Sequence, residues 1–225
     1  MKITKTGTDH LVFSYLELRR AIGILGIALP FIISLGALII FRTGIQRSIS
    51  SYYHTGMRDV FVGILCVIGF FLLSYKGWDL RDDIAGDLAC AFAVGLAFFP
   101  TAPDGALARD VIFIGRVHLF FATLFFAALI YFSLVLFTKT DPAKPPAQKK
   151  LIRNNVYRIC GFTMIFCIVL IAAYYALPDS LQYRIKPIHP IFWLESCAII
   201  AFGISWFVKG QAILKDEKSA EHEKG

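Results

Sequence analysis

Apolar residues fall into six long runs separated by short polar segments, at about 21–41, 60–75, 84–99, 111–137, 159–177 and 188–208. A helix needs roughly 20 apolar residues to cross the hydrocarbon core of a bilayer. The pattern therefore predicts an all-α fold, a polytopic bundle of six transmembrane helices spanning 21–208. An amphipathic lead-in (1–20) precedes it and a charged tail (209–225) follows. Ser14 and Glu17 in the lead-in have capping-box spacing, which predicts a short helix running straight into the first span. Pro30 predicts a kink in that span. The run is too long and starts too late for a cleaved signal peptide, and no A-x-A site follows it. The third run is rich in small residues. Ala91 with Gly95, and Ala93 with Ala97, have the spacing that lets helix backbones approach closely, predicting a central helix. The Pro- and Lys-rich stretch 138–155 reads as a loop.

Composition supports a membrane class. The 225 residues are 57% hydrophobic and 17% charged, below the roughly 25% charge of soluble domains, and they include 21 phenylalanines. Mean hydropathy is +0.64. The five cysteines all lie inside apolar runs and form no C-x-x-C pair, so they read as small buried hydrophobes.

The net charge of +7 changes the picture through its distribution. With the N-terminus inside, the inner segments hold Lys2, Lys5, Arg19, Arg20, Lys76, Arg81, Lys139, Lys144, Lys149, Lys150, Arg153, Arg158, Lys209, Lys215, Lys218 and Lys224, sixteen of the 23 basic residues. The positive-inside rule then predicts an N-in/C-in orientation. The expected partners are the lipid bilayer and anionic lipids at the cytoplasmic Lys/Arg loops. Nucleic acid is not one of them, because the basic residues flank the spans.

This orientation places RSISSYYHTGMRD (47–59) on the outer face, where its hydroxyls, aromatics, histidine and acid mark a working end. Ser50, Tyr53, His54 and Asp59 lie in this segment. Arg116 and His118 sit roughly 9–12 Å into the fourth helix from the same face, and Glu195 lies at similar depth in the sixth. These seven residues form the candidate ligand pocket. The acids Asp79, Asp82, Asp83 and Asp87, beside Lys76 and Arg81, read instead as caps and interface charges. Three readings of the outer cluster stay open. Arg116 and Glu195 would form a structural pair. Arg116 would hold the carboxylate or phosphate of a lipid headgroup or small ligand, with Tyr52, Tyr53 and Trp193 at headgroup level and no cofactor. Or His54, His118 and His189, with Asp59 or Glu195, would supply zinc ligands for a metal-dependent lipid amidase or esterase. The expected function is ligand binding, with the zinc enzyme as the alternative and a small-solute transporter third. No H-x-x-x-H, H-E-x-x-H or G-x-S-x-G motif is present.

The segment SISSYYHTGMRDVFVGIL (48–65), the acid-rich start of the third run, FPT (99–101), the histidine of GRVHLFFA (115–122), WLES (193–196) and FGISWFVKG (202–210) resemble an uncharacterised family of bacterial six-helix membrane proteins. That resemblance implies the fold and a bacterial inner (cytoplasmic) membrane as the location, and no activity. The six-run layout and the Ile-Ser signature after the first helix are faintly similar to DRAM-like membrane proteins. Ser50 and His54, four apart, match the first pair of the ceramidase and progestin-receptor-like membrane hydrolases, but the late histidine pair and the seventh span of those proteins are missing. No metal ligands carry over from that resemblance.

Overall fold

The computed structural model describes residues 15–75, 79–103, 105, 108–140 and 147–214, and among these it is helical with no strand. The α-helices are α1 (Tyr15–Ile39), α2 (Arg58–Leu73), α3 (Leu80–Phe98), α4 (Arg109–Tyr131), α5 (Gln148–Tyr175), α6 (Asp179–Ile185) and α7 (Pro190–Lys209). A 3-10 turn occupies Ser50–His54, another Lys186–Ile188, and a π-turn, Phe132–Leu136, extends α4.

Among the described residues, four helices are long and apolar enough to cross a membrane: α1, α4 with its π-turn, α5 and α7. Their flanks expose Phe31, Leu35, Phe113, Phe120, Phe162 and Phe166, which suits lipid rather than water. The other two expected spans are helices that fall short of this standard. The 16 residues of α2 reach about 24 Å. Its start is fixed late, because the Thr55 hydroxyl accepts the Met57 N–H at 3.1 Å and ends the preceding 3-10 turn. In α3 the first two turns carry Arg81, Asp82, Asp83 and Asp87. Asp79 caps that helix by accepting the N–H groups of Arg81 (3.0 Å) and Asp82 (3.2 Å), as the acid-rich start predicts.

Each long helix packs on its neighbour in the chain, and α7 closes against both α5 and α1. The α1–α7 contact is backbone on backbone. A Cβ on Gly23 would lie 2.6 Å from the Phe207 nitrogen, and one on Gly203 would lie 2.7 Å from the Gly23 oxygen. The small residues of α3 work similarly against α2: Ala89, Ala93 and Ala97 are buried, and Gly86 lies against the Leu72 carbonyl. Ala91, however, is exposed, and α3 packs between α2 and α4.

Helix α1 runs from Tyr15 into the first apolar run, as the lead-in predicts, with Pro30 inside it; Ser14, the expected cap, lies outside the described residues. One boundary differs from the sequence expectation. Helix α5 begins at Gln148, so 148–155 is helix and not loop. Lys150, Arg153, Asn154 and Tyr157 recur there at helical spacing, and the last three are buried.

Candidate ligand site

The segment that follows α1 folds as a clamp. Residues 44–46 have no regular secondary structure, and the turn from Ser48 is closed by its own hydroxyls: Ser48 Oγ lies 2.6 Å from Ser51 Oγ and accepts the Ser51 N–H at 3.0 Å. Tyr52 points inward, fully buried, with its ring against Phe192 of α7. Burial pushes its phenol above its ordinary pKa, partly offset by the Gln46 N–H donating to its oxygen at 3.3 Å. It is therefore a core residue, not a headgroup contact, whereas Trp193 is exposed.

The turn is tied to the rest of the protein at three points. Glu195 of α7 accepts the Ile49 N–H at 2.7 Å and also the Ser50 N–H, which satisfies the open amides at the start of the turn. The Arg47 guanidinium donates to the Ala102 carbonyl and, at 3.3 Å, to Ser51 Oγ. His54 Nε2 lies 2.7 Å from the Thr101 carbonyl. One turn below the rim, His118 Nδ1 lies 2.7 Å from the Phe99 carbonyl. Both histidines thus hold the loop between α3 and α4, the FPT turn.

The seven candidate residues are therefore only partly brought together. Ser50 and Glu195 meet, forming the polar side of a cavity of about 30 Å³ otherwise walled by apolar residues such as Leu29, Phe61 and Phe126. His54 and His118 share a loop. Tyr53 is engaged by Arg58, whose Nη2 donates to its hydroxyl at 2.7 Å and whose guanidinium stacks 4.4 Å from its ring. Asp59 is exposed in the first turn of α2, where its charge favours the helix start. Arg116 is exposed, and no ion pair joins it to Glu195, whose partners are backbone amides. Among the described residues no three His, Cys, Asp or Glu side chains converge as a metal site.

A grouping that sequence reasoning did not assemble lies beside the clamp. Two adjoining cavities, of about 250 and 310 Å³, share Arg47, Lys186 and His189. His54 lines one; Gln182, Tyr183 and Asp179 line the other. His189 takes a left-handed conformation (φ 50°, ψ 52°) that ends the 3-10 turn and starts α7, with Pro190 at the first helical position. Its Nδ1 is buried without a hydrogen-bond partner. Two fixed cations and two histidines against one aspartate give these walls a cationic character. Arg47 was visible at the head of the 47–59 segment and His189 as a candidate zinc ligand, but nothing in the sequence joined the two to Lys186. No family model matches the chain, and no curated protein or solved structure matches it.

Proposed function

We propose that this is a six-span membrane protein of the bacterial inner membrane, with both termini in the cytoplasm, that binds an anionic headgroup or small anion at its outer face. The bound group is a phosphate or carboxylate. It sits in the paired cavities with Arg47, Lys186 and His189 between them. The observation that carries this reading is that shared cationic wall. Arg47 is pre-positioned there by its bonds to Ala102 and Ser51, so little ordering cost remains on binding. The unpartnered His189 nitrogen is a polar group a ligand would satisfy. In this topology α2 and α3 complete the six spans, supported by their packing on α1 and α4. Sixteen basic residues then face the cytoplasm.

The binding test uses purified protein in detergent, with titration of a short-chain phosphatidylglycerol followed by thermal shift. Wild type is expected to bind, and Lys186→Gln and His189→Asn to weaken binding by about tenfold each, near the 1.4 kcal/mol of one charge-assisted contact. Unchanged affinity in both variants would remove the site. Topology is read separately by cysteine labelling: Tyr183→Cys from outside only, Gln148→Cys from inside only. Both positions are exposed.

A further inference from the structure

Helices α3 and α4 meet along a seam that their side chains do not fill. A cavity of about 380 Å³ occupies it. Three of the residues lining it are alanines: Ala85, Ala127 and Ala128 stand where larger side chains would close the gap. Ile84 and Leu88 of α3 also line the cavity and are half exposed, so it opens to the surroundings and not to the bundle core. Beyond its inner end the two helices close up. Phe121 of α4 lies directly over Gly95 of α3, where a Cβ has no room, and stacks on Phe99 with centroids 5.5 Å apart.

The dimensions of this groove restrict what can lie in it. Along α3 it extends from Arg81 to Phe92, roughly 16 Å of helix. The hydrocarbon core of a bilayer is roughly 30 Å thick, so the groove is one leaflet deep. Spread over that length, its volume gives a cross-section of about 24 Å². A helix, roughly 10 Å across, needs about 80 Å². The seam therefore takes an extended chain and not another helix.

Its polar lining lies toward one end. Arg81, the second residue of α3, and Tyr131, the last of α4, are the polar side chains among the described residues that line it. Among the described residues, neither the guanidinium nor the phenol has a hydrogen-bond or ion-pair partner. The acids at this end do not supply one: Asp79 and Asp82 hold Lys139, and no described acid lines the groove. A cation at the mouth of an apolar slot one leaflet deep is complementary to an amphiphile with an anionic head and a hydrocarbon chain. A phosphate suits the planar fork of an arginine, which can donate to two of its oxygens.

We propose that the α3–α4 seam binds one glycerophospholipid of the inner leaflet. Arg81 holds its phosphate, the Tyr131 hydroxyl donates to the headgroup or ester region, and one acyl chain lies over the three alanines toward Phe92. The site uses none of the residues of the Arg47–Lys186–His189 cavities and faces the other leaflet. It requires α3 and α4 to cross the bilayer as proposed above; the Gln148→Cys and Tyr183→Cys labelling reads that topology without touching the groove, so the two fail separately.

The test is native mass spectrometry of the full chain, delipidated in detergent and titrated with palmitoyl-oleoyl phosphatidylglycerol or phosphatidylethanolamine. Palmitoyl-oleoyl glycerol, which has the chains without the phosphate, is titrated beside them. Wild type is expected to retain one phospholipid of either headgroup and to hold the diacylglycerol more weakly. Ala127→Phe fills the seam from an exposed position and should abolish retention. Arg81 is exposed, so Arg81→Gln leaves the packing intact; it should weaken phospholipid binding about tenfold and leave diacylglycerol binding unchanged. Ala91→Phe adds the same bulk to an exposed position of α3 away from the seam and should bind as wild type. A wild type that retains no phospholipid overturns the proposal. So does retention of diacylglycerol equal to that of phospholipid, or phospholipid binding unchanged in Arg81→Gln or Ala127→Phe. A dimer mass that Ala127→Phe dissociates would make a second copy the occupant, and the proposal falls.

Discussion

Glu195 of α7 accepts the Ile49 N–H at 2.7 Å across 146 positions of sequence, so an acid inside an apolar helix serves as the cap of a distant turn. The carboxylate is bound by backbone donors, with the Arg47 charge acting on it as well. Glu195→Gln keeps an acceptor and is expected to lower stability by less than about 1 kcal/mol. Glu195→Ala leaves two turn amides open and costs about 1–3 kcal/mol. Thermal melts in one detergent compare the two; equal losses would show that the hydrogen bonds are not what the side chain contributes.

How much of this was legible in the sequence differs residue by residue. Glu195 stood out because a lone acid in an apolar run must find a partner. Its partners are main-chain amides, which have no residue signature, so Arg116 was the natural but mistaken choice. The Asp79 cap was readable because a cap is local, lying two and three residues from the amides it serves. The aromatic cluster around Trp206 was not readable. Trp206, Phe132 and Tyr75 come from three different apolar segments, and nothing in an apolar run marks which aromatics will meet. The start of α5 was hidden by its charge, since Lys149, Lys150 and Arg153 look like loop residues until their helical spacing is seen beside Asn154 and Tyr157.

Gly203 and Gly23 make the α1–α7 crossing possible, and bulk there has no room to relax because the atoms it meets are backbone. Gly203→Leu is expected to cost at least about 3 kcal/mol, at or beyond the upper end of overpacking penalties, or to prevent folding. Gly63→Ala is the matched control: nothing lies within 4 Å of its Cβ position, and the helix propensity of alanine should raise stability by up to about 1 kcal/mol. Monodispersity and melting temperature of the two variants check the contrast.

Lys139 bridges Asp79 and the buried Asp82 at the start of α3. Its hydrogen bond to Asp82 is the main reason its ammonium is held above the ordinary range; the Asp79 hydrogen bond and both carboxylate charges add to it and outweigh burial. For Asp79, burial pushes upward. The Lys139 hydrogen bond, the Asp82 and Arg81 amides and the Lys139 charge outweigh it and hold the carboxyl below its usual range. The Asp79 contribution is therefore present above its unfolded pKa of about 4 and lost as pH falls through the lower folded value. The Lys139 contribution is present below about pH 10 and lost as pH rises through the raised one. The melting temperature of wild type is expected to exceed that of Lys139→Gln at pH 7, with the gap narrowing below about pH 4. A gap that stays constant into acid would contradict the pairing.

His118 and His54 both reach carbonyls of the α3–α4 loop, but in different surroundings. His118 is 6% exposed, and burial leaves the Phe99 carbonyl few alternatives if the imidazole is removed. His54 is exposed, so water replaces its bond to Thr101 at little cost. His118→Ala is expected to lose about 1–3 kcal/mol and His54→Ala less than about 0.5 kcal/mol. His118→Asn, which keeps a donor near the same depth, should recover part of the loss. Because the two side chains serve one loop, limited proteolysis around Ala102 gives a local readout beside the global melt. Cleavage there should rise strongly in His118→Ala and slightly in His54→Ala. If the order were reversed, the exposed histidine would be the one holding the loop, and the outer-face cavity it lines would depend on that bond.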